Sequence, residues 1–323
     1  MDLTHIQQLV ADDFVSVNQM IKDNLSTNIG LIDDVSQHII DSGGKRLRPL
    51  LVLLGAKLFS YDQDDRHLKL AVAVEYFHTA TLLHDDVVDE SQLRRGKPTA
   101  NAQWGNKPSI LVGDYLFTQA FQLLIACRDL SVIATLTEAA NTITCGETRQ
   151  LMNAHNCQIT LEDYLSVITD KTAVLFASAT SLGGILAKRP PAEIEAMYQY
   201  GLQLGKAFQL VDDALDYEAQ SDIIGKNIGD DLAEGKLTLP LIHILKHGDA
   251  QQQQLIRQSI QQGNLTHLPD ILTALKATNA IEQTYQQANQ MVNQAIEALA
   301  IIPDSIYRQA LVALAQLTTS RNH

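Results

Sequence analysis

The stretch Leu82-Leu83-His84-Asp85-Asp86-Val87-Val88-Asp89-Glu90 carries a D-D-x-x-D cluster inside an apolar run. On a helix, Asp85 and Asp89 stand one turn apart on the same face. A second cluster of the same form, Asp212-Asp213-Ala214-Leu215-Asp216, lies in another apolar run. The sequence therefore predicts two partly buried helices that each present carboxylates.

These clusters have two interpretations. If each is a solvated acidic helix face, the like-charge pair costs only about 0.2–0.5 kcal/mol and nothing forbids it. If the helices are partly buried, carboxylates about 6 Å apart repel by about 3 kcal/mol at an effective dielectric constant of 20, and cations must offset that repulsion. Aspartate oxygens without nearby Cys or many His favour Mg²⁺, which completes its shell with water and substrate phosphates. Two facing clusters would then bridge metal ions to a diphosphate.

The rest of the chain is helical in pattern. Only 8 Pro and 17 Gly occur in 323 residues, which favours long helices over turn-rich β architecture. Apolar residues from Ile6 to Leu25 repeat with a helical period and predict one amphipathic first helix. Further helices are predicted near residues 65–90, 109–127, 130–153, 161–187, 191–219 and 237–247. No repeat or long Gly/Ser linker divides the chain, so we expect one all-α domain, residues 1–323, of ten or more helices.

Charge and cysteine usage limit the partners and the compartment. Lys and Arg number 24 against 37 Asp and Glu, a formal charge of −13, which argues against nucleic acid as the main partner. The three cysteines show no C-x-x-C spacing and are expected to be reduced. The N-terminus does not resemble a signal peptide, and no apolar run approaches about 20 residues. We therefore expect a cytoplasmic protein without a transmembrane segment.

Basic segments accompany the acidic clusters. Gly43-Gly44-Lys45-Arg46-Leu47-Arg48-Pro49 ends in three positive charges, Arg94-Arg95-Gly96-Lys97 follows the first cluster, and the segment 225–236 follows the second. Any one of these could be a solvated basic loop. Their combination beside acidic clusters indicates an anionic substrate. A P-loop is excluded, because Gly229 and Gly235 have five residues between them where that motif needs four.

The ordered motifs G-G-K-R-x-R-P, D-D-x-x-D with R-R-G-K-P-T, G-K-A-F-Q-L-V-D-D-x-L-D and G-K-N-x-G-D-D-L-x-E-G-K-x-T-L-P resemble those of trans-polyprenyl diphosphate synthases, from about Lys45 to Leu241. The match is closest to the bacterial octaprenyl members. The resemblance implies mostly antiparallel helices around a deep central cavity, and a homodimer. It also implies that an allylic diphosphate ionises with Mg²⁺, isopentenyl diphosphate attacks the allylic cation, and a proton is lost.

The resemblance also assigns roles by position. Asp85, Asp89 and Asp212 would hold two or three Mg²⁺ ions on the allylic diphosphate, with Asp86, Asp213 and Asp216 in support. Arg94 would contact that diphosphate, whereas Lys45, Arg48, His78 and Arg95 would bind isopentenyl diphosphate. The residues expected to close over the allylic substrate are Lys171, Thr172, Gln209, Lys226 and Lys236. His84 matches no ligand position and is interpreted as structural.

The resemblance also leads to a prediction of the product's chain length. Ala80, five residues before the first motif, and Thr81 are small, where short-chain relatives often carry an aromatic residue. The tunnel should stay open, with Leu124 and Leu136 as candidates for its floor, and the product should be long, such as octaprenyl diphosphate for ubiquinone side chains. Its release could involve transient membrane contact. The alternatives are a C15–C20 synthase, a class I terpene cyclase, and a non-catalytic subunit of a heteromeric synthase.

Overall fold

The structure is a computed structural model that describes residues 1–218 and 228–320. Its helices are α1 (Leu3–Gln8), α2 (Ala11–Asp23), α3 (Gly30–Asp41), α4 (Leu47–Leu58), α5 (Arg66–Val88), α6 (Ala100–Trp104), α7 (Asn106–Ala126), α8 (Leu130–Asn153), α9 (Leu161–Ile168), α10 (Val174–Leu186), α11 (Pro191–Glu218), α12 (Asp230–Ala233), α13 (Leu239–His247), α14 (Ala250–Gln262), α15 (Leu268–Ala277), α16 (Ala280–Ala298) and α17 (Ile306–Thr318). A π-helical turn, Thr169–Ala173, joins α9 to α10, and a 3₁₀ turn, Leu299–Ile301, follows α16. The predicted all-α fold is confirmed.

Long central helices build the core. α5 packs along α7, α10 lies between α4 and α11, and α11 packs along α16. The main hydrophobic core includes Ile6 from α1 and Ala315 from α17, so helices from both ends of the described chain share it. The assignment of residues 1–323 to a single domain stays a prediction.

Helix boundaries follow local chemistry where a cap is present. Helix α8 begins at Leu130 and ends at Asn153, as predicted. The Asp129 carboxylate accepts hydrogen bonds from the backbone N–H groups of Ser131 and Val132, which satisfies donors that the first helical turn leaves unpaired.

Two predicted helices are interrupted. The segment from Ile6 to Leu25 forms α1 and α2, because the N–H groups of Leu9 and Val10 bond to carbonyls three residues back, at 3.2 and 3.1 Å, and this tight turn ends α1. The predicted helix 161–187 contains the π turn Thr169–Ala173. Neither interruption changes the spacing of the apolar residues much, so the helical periodicity of the sequence did not reveal them.

A hairpin follows α5. Strands β1 (Leu93–Arg94) and β2 (Lys97–Pro98) pair antiparallel, with Arg94 opposite Lys97. The two turn residues, Arg95 and Gly96, have φ of 52° and 74°. A two-residue turn with both φ values positive matches the right-handed twist of a hairpin, and for a non-glycine residue such as Arg95 it stores strain.

Helix α7 is the one helix in the described parts of the chain that is long and apolar enough to cross a membrane by length and composition. This differs from the expectation that no apolar run approaches the length of a membrane span. It is weak support for a span, since helices of protein cores and interfaces have similar composition, and α7 packs along α5.

Candidate active site

The first aspartate cluster lies at the C-terminal end of α5. The N–H of Asp89 donates to the carbonyl of Asp85 at 2.8 Å, so the expected one-turn spacing of the two residues is present. Desolvation raises the pKa of Asp85; the positive charge of Lys171 opposes that rise and the negative charge of Asp89 adds to it. The cluster is therefore poorly solvated and lies near the positive charge of Lys171, and it is not a solvated helix face.

Asp86 pairs with the hairpin. Its carboxylate is fully buried and accepts hydrogen bonds from Nε and Nη2 of Arg94, at 2.9 and 2.7 Å to Oδ1. Burial lowers the pKa of Arg94, but the hydrogen bonds to Asp86 and the charges of Asp86, Asp85 and Asp89 outweigh it and raise that pKa. Arg94 is thereby held beside the first cluster, where its expected role requires it to be.

The second cluster lies in the last two turns of α11. Asp213 is buried and accepts hydrogen bonds from the Tyr164 hydroxyl and from Nε2 of Gln209, the latter at 2.8 Å. Burial, with the charge of Asp231, raises the pKa of Asp213 to about 8. Thr172 donates to Oε1 of Gln209 at 2.9 Å. Three residues expected near the allylic substrate thus form one hydrogen-bonded chain.

Asp216 connects α11 to α12. Its Oδ1 accepts the backbone N–H of Asp230 at 3.2 Å, and its carbonyl accepts the N–H of Gly229 at 3.0 Å. Asp216 is buried, whereas Asp212 is partly exposed. These contacts fit a supporting role for Asp213 and Asp216 and leave Asp212 as the cluster's more accessible carboxylate.

Two lysines contact the first cluster from other elements. Lys171, on the π turn, lies 2.7 Å from Glu147 and 3.9 Å from Asp85. Lys236, after α12, lies 3.0 Å from Asp89 and also pairs with Glu234. Burial lowers the pKa of Lys236, but the neighbouring carboxylates outweigh it and raise that pKa. Both predicted lysines therefore lie at the first cluster.

Sequence reasoning missed Glu147. This α8 residue pairs with Lys171, and desolvation together with the charge of Asp85 raises its pKa to about 7. The neighbouring Gly146 gave a signal, because a glycine inside a long helix often marks a close approach. A Cβ there would lie 2.6 Å from the Lys171 backbone nitrogen. The glycine thus allows α8 to touch the π turn.

A second cationic group lies beside the first. The Arg48 guanidinium stacks 4.4 Å from the ring centroid of Phe176, and desolvation lowers the pKa of Arg48 to about 10. Desolvation, with the charges of Arg48, Arg94 and Arg95, lowers the pKa of His78 well below its ordinary value, so the imidazole is neutral near pH 7. The structure therefore brings together three of the four residues expected at the isopentenyl diphosphate site.

Glu75, one turn before His78 on α5, was also missed. Desolvation raises its pKa, while the charges of Arg46, Arg48 and Arg95 lower it. Its carboxyl group lies among these three arginines. Of the other predicted ligands, Lys45 is exposed on the loop after α3, and Lys226 lies outside the described residues.

His84 lies against α7. Its Nε2 is 3.1 Å from the carbonyl of Ile110, and a Cβ on Gly113 would lie 2.3 Å from that nitrogen. This packing agrees with the structural interpretation of His84.

The donor set fits a metal that needs its substrate. Among residues 1–218 and 228–320, no three His, Cys, Asp or Glu side chains are grouped closely enough to hold one ion by themselves. Mg²⁺ commonly takes one or two carboxylates, keeps several waters and completes its shell with phosphate oxygens. The carboxylates of Asp85, Asp89 and Asp212 fit that pattern.

Three of the four expected tunnel residues are buried, and Thr81 is half-buried. Ala80, Leu124 and Leu136 belong to the main core, and the Thr81 hydroxyl donates to the carbonyl of His78 at 2.8 Å. Phe77, three residues before Ala80, packs edge-on against Phe117 and Phe121 of α7, with ring centroids 5.5 and 5.4 Å apart. This aromatic cluster is a further candidate for the tunnel floor that sequence reasoning did not name. The floor itself stays a prediction.

Comparison with known proteins agrees with the geometry. Residues 30–300 match the polyprenyl synthetase family model. The chain belongs to the polyprenyl synthetase family. This polyprenyl synthetase is 46% identical over 323 residues to the octaprenyl diphosphate synthase of Escherichia coli, with all of both chains covered.

Solved structures of the family share the fold. A decaprenyl diphosphate synthase from Rhodobacter capsulatus is 42% identical, with a TM-score of 0.93 and full coverage of both chains. A polyprenyl synthase from Caulobacter crescentus, complexed with calcium and isoprenyl diphosphate, is 39% identical, with a TM-score of 0.96 and coverage of 100% of this chain and 98% of that one.

Proposed function

We propose that this polyprenyl synthetase is a long-chain all-trans-polyprenyl diphosphate synthase, a prenyltransferase that adds isopentenyl diphosphate units to an allylic primer such as farnesyl diphosphate and gives octaprenyl diphosphate for ubiquinone side chains. One observation carries the proposal: two aspartate clusters with Arg94, Lys171 and Lys236 lie beside a second group formed by Arg48, His78 and Arg95. Two cationic groups suit two diphosphates.

The residues have distinct tasks in this reaction. Mg²⁺, when bound, neutralises the charge that develops on the departing diphosphate. Asp85, Asp89 and Asp212 would hold the metal, in two or three ions. Lys171 and Lys236, which contact these carboxylates in the structure, would then turn to diphosphate oxygens as the metal takes the carboxylates. Positive charge placed at the diphosphate in this way would stabilise the leaving group electrostatically.

The second group would orient the acceptor. Arg48 and Arg95 would bind the diphosphate of isopentenyl diphosphate, and Lys45 would add a charge from its exposed loop. The neutral His78 would donate a hydrogen bond without adding to the cationic repulsion there. Buried Phe77, Leu83 and Phe176 nearby would exclude water from the allylic cation.

Product analysis tests the proposal. The purified chain alone, with Mg²⁺, farnesyl diphosphate and labelled isopentenyl diphosphate, should incorporate label, and mass spectrometry should show a C40 product. A C15–C20 product would identify a shorter-chain synthase. Absence of incorporation would favour a cyclase, or a subunit that needs a partner, and would contradict the proposal.

Arg48→Ala separates the two substrate sites. Its loss should raise the KM for isopentenyl diphosphate by about tenfold or more and the KM for farnesyl diphosphate much less, since a hydrogen bond to a charged group is worth about 1.5–3 kcal/mol. Equal effects on both KM values would mean that the sites are wrongly assigned.

We also propose a homodimer in the cytoplasm, with transient membrane contact during release of the lipid product. The outer faces of α7 and α8 support the dimer, since they expose large apolar side chains: Ile110, Leu111, Phe121, Ile125, Leu130, Leu151 and Met152. A patch of this kind on a protein surface commonly marks an interface.

A further inference from the structure

Two backbone segments of the polyprenyl synthetase supply the isopentenyl diphosphate site, and both have strained conformations. The loop after α3 carries Lys45 and leads to Arg48. After the flexible Gly43 and Gly44, its residue Arg46 has a φ of 48°, which is strained for a residue other than glycine. The hairpin carries Arg95, whose φ is 52°. Segments with left-handed residues hold one shape only when the surrounding structure fixes them.

Lys97 joins these two segments. From β2, its Nζ donates a hydrogen bond of 2.8 Å to the carbonyl of Asp41, the last residue of α3. One turn earlier on α3, Nε2 of His38 lies 2.8 Å from the carbonyl of Pro98, the residue after Lys97. The C-terminal end of α3 thus holds β2 by two contacts.

The chemistry of a helix end explains the contact. The last four carbonyls of a helix have no partner within the helix, and they form the negative end of its dipole. An ammonium group satisfies such a carbonyl and complements the dipole. Lys97 is exposed, and its ammonium group binds the backbone carbonyl of Asp41. Asp41 lies two residues before the Gly43–Gly44 turn.

Arg95 lies directly against that turn. A Cβ on Gly44 would be 2.8 Å from Nη1 of Arg95, so the guanidinium occupies the space that the glycine leaves. The position of Arg95 relative to Lys45 and Arg48 therefore depends on how closely the hairpin is held to the end of α3.

We propose that Lys97 is a positioning residue, whose bond to the Asp41 carbonyl fixes Arg95 against the Gly43–Arg48 loop and so assembles the isopentenyl diphosphate site. The inference rests on the proposed function. Lys97 and the neighbouring Arg94 have different roles, because Arg94 is held in place by its own hydrogen bonds to the buried Asp86. Loss of Lys97 should therefore affect the acceptor site and spare the allylic site.

The test compares Lys97→Met with Lys22→Met, which removes the same charge from an exposed position on α2. Steady-state kinetics with each substrate varied in turn should show the KM for isopentenyl diphosphate raised about tenfold in Lys97→Met, the equivalent of one charge-assisted hydrogen bond. The KM for farnesyl diphosphate and kcat should stay within about twofold of wild type. Lys97→Arg, which can still donate to the carbonyl, should restore most of the affinity.

Two results would overturn the inference alone, in a wild-type enzyme that incorporates isopentenyl diphosphate. One is a Lys97→Met enzyme with the same constants as Lys22→Met. The other is a parallel loss in both KM values and kcat, which would indicate general disruption. A wild-type chain that incorporates nothing would instead refute the proposed function, and the inference with it.

Discussion

At the scale of single residues, the carboxylates of Asp85 and Asp212 are expected to be needed for turnover and not for folding. Asp85→Asn or Asp212→Asn should lower kcat by about 100-fold or more, because metal-assisted departure of diphosphate loses its anchor. Thermal unfolding should change little, since Asp85→Asn also removes negative charge from a poorly solvated cluster and Asp212 is partly exposed.

Asp62→Asn, at an exposed position before α5, is the matched control and should behave as wild type. Melting curves with Mg²⁺ and inorganic pyrophosphate provide a second measurement: the rise in Tm expected for wild type should disappear in Asp85→Asn and Asp212→Asn. Near-normal turnover in both variants would contradict the metal assignment.

His78 gives a prediction about pH. Its pKa is lowered well below the ordinary 6.5 by desolvation and by Arg48, Arg94 and Arg95. Below pH 6.5 the unfolded chain binds a proton at this residue that the folded chain does not, so folding stability is lost as the pH falls, by at most about 1.4 kcal/mol per pH unit.

Urea unfolding at pH 7.5 and 5.5 measures the effect against His78→Gln, which keeps a neutral hydrogen-bond donor and cannot titrate. Wild type should lose about 1 kcal/mol more than His78→Gln between the two pH values. The same loss in both proteins would mean that His78 titrates normally in the folded state.

At the scale of helices, sequence predicted elements where a local signal exists. Helix α8 has the bounds that its apolar pattern predicted, and the structure shows Asp129 as its N-cap. The π turn Thr169–Ala173 was not predicted, because one extra residue in a helical turn hardly changes the pattern of apolar residues. That turn carries Lys171 and Thr172, so the missed irregularity is at the site.

The residues of the site, like the helices, were predicted only where the sequence carries a local signal. The ordered motifs named Asp85 and Arg94, because each motif is local in sequence, and the family resemblance assigned Lys171 by its position. The partners of these residues come from elsewhere in the chain, and no local pattern marks them. Glu147 pairs with Lys171 from 24 residues away, and the Lys97 bond to the Asp41 carbonyl spans 56 residues.

The pairing of α5 with α7 leads to a prediction about product length. Ala80 shares a helix face with Phe77 and His84, whose rings contact Phe117 of α7. Ala80 also lies five residues, about 7.5 Å, before Asp85. Ala80→Tyr should therefore block a tunnel along this face and shorten the products to about C15–C20, while the first condensation persists.

Mass spectrometry of the products measures this effect. Ala250→Tyr, at an exposed position on α14, is the control and should keep the wild-type product. A folded, active Ala80→Tyr enzyme with unchanged long products would show that the chain does not grow past this residue.

At the scale of the whole molecule, charge is distributed unevenly. The formal charge is −13, yet Arg48, Arg94 and Arg95 interact with one another around His78. Screening limits the interaction of exposed charges to about 8–10 Å at ordinary ionic strength. Capture of a diphosphate therefore depends on these local cations, and the acidic surface elsewhere has little influence once the substrate is in the pocket.

The apolar stripe on α7 predicts how copies of the molecule associate. Leu111 and Ile125, each 65% exposed, are four turns apart on one face of this helix. A charge on that face would be buried without a partner in a dimer, so Leu111→Glu and Ile125→Glu should convert the wild-type dimer, twice 35.6 kDa, to monomers in sedimentation velocity. Val15→Glu changes a residue that is 69% exposed on α2 and should leave the dimer intact. A wild-type monomer, or dimers that survive both α7 substitutions, would show that this stripe is not the interface.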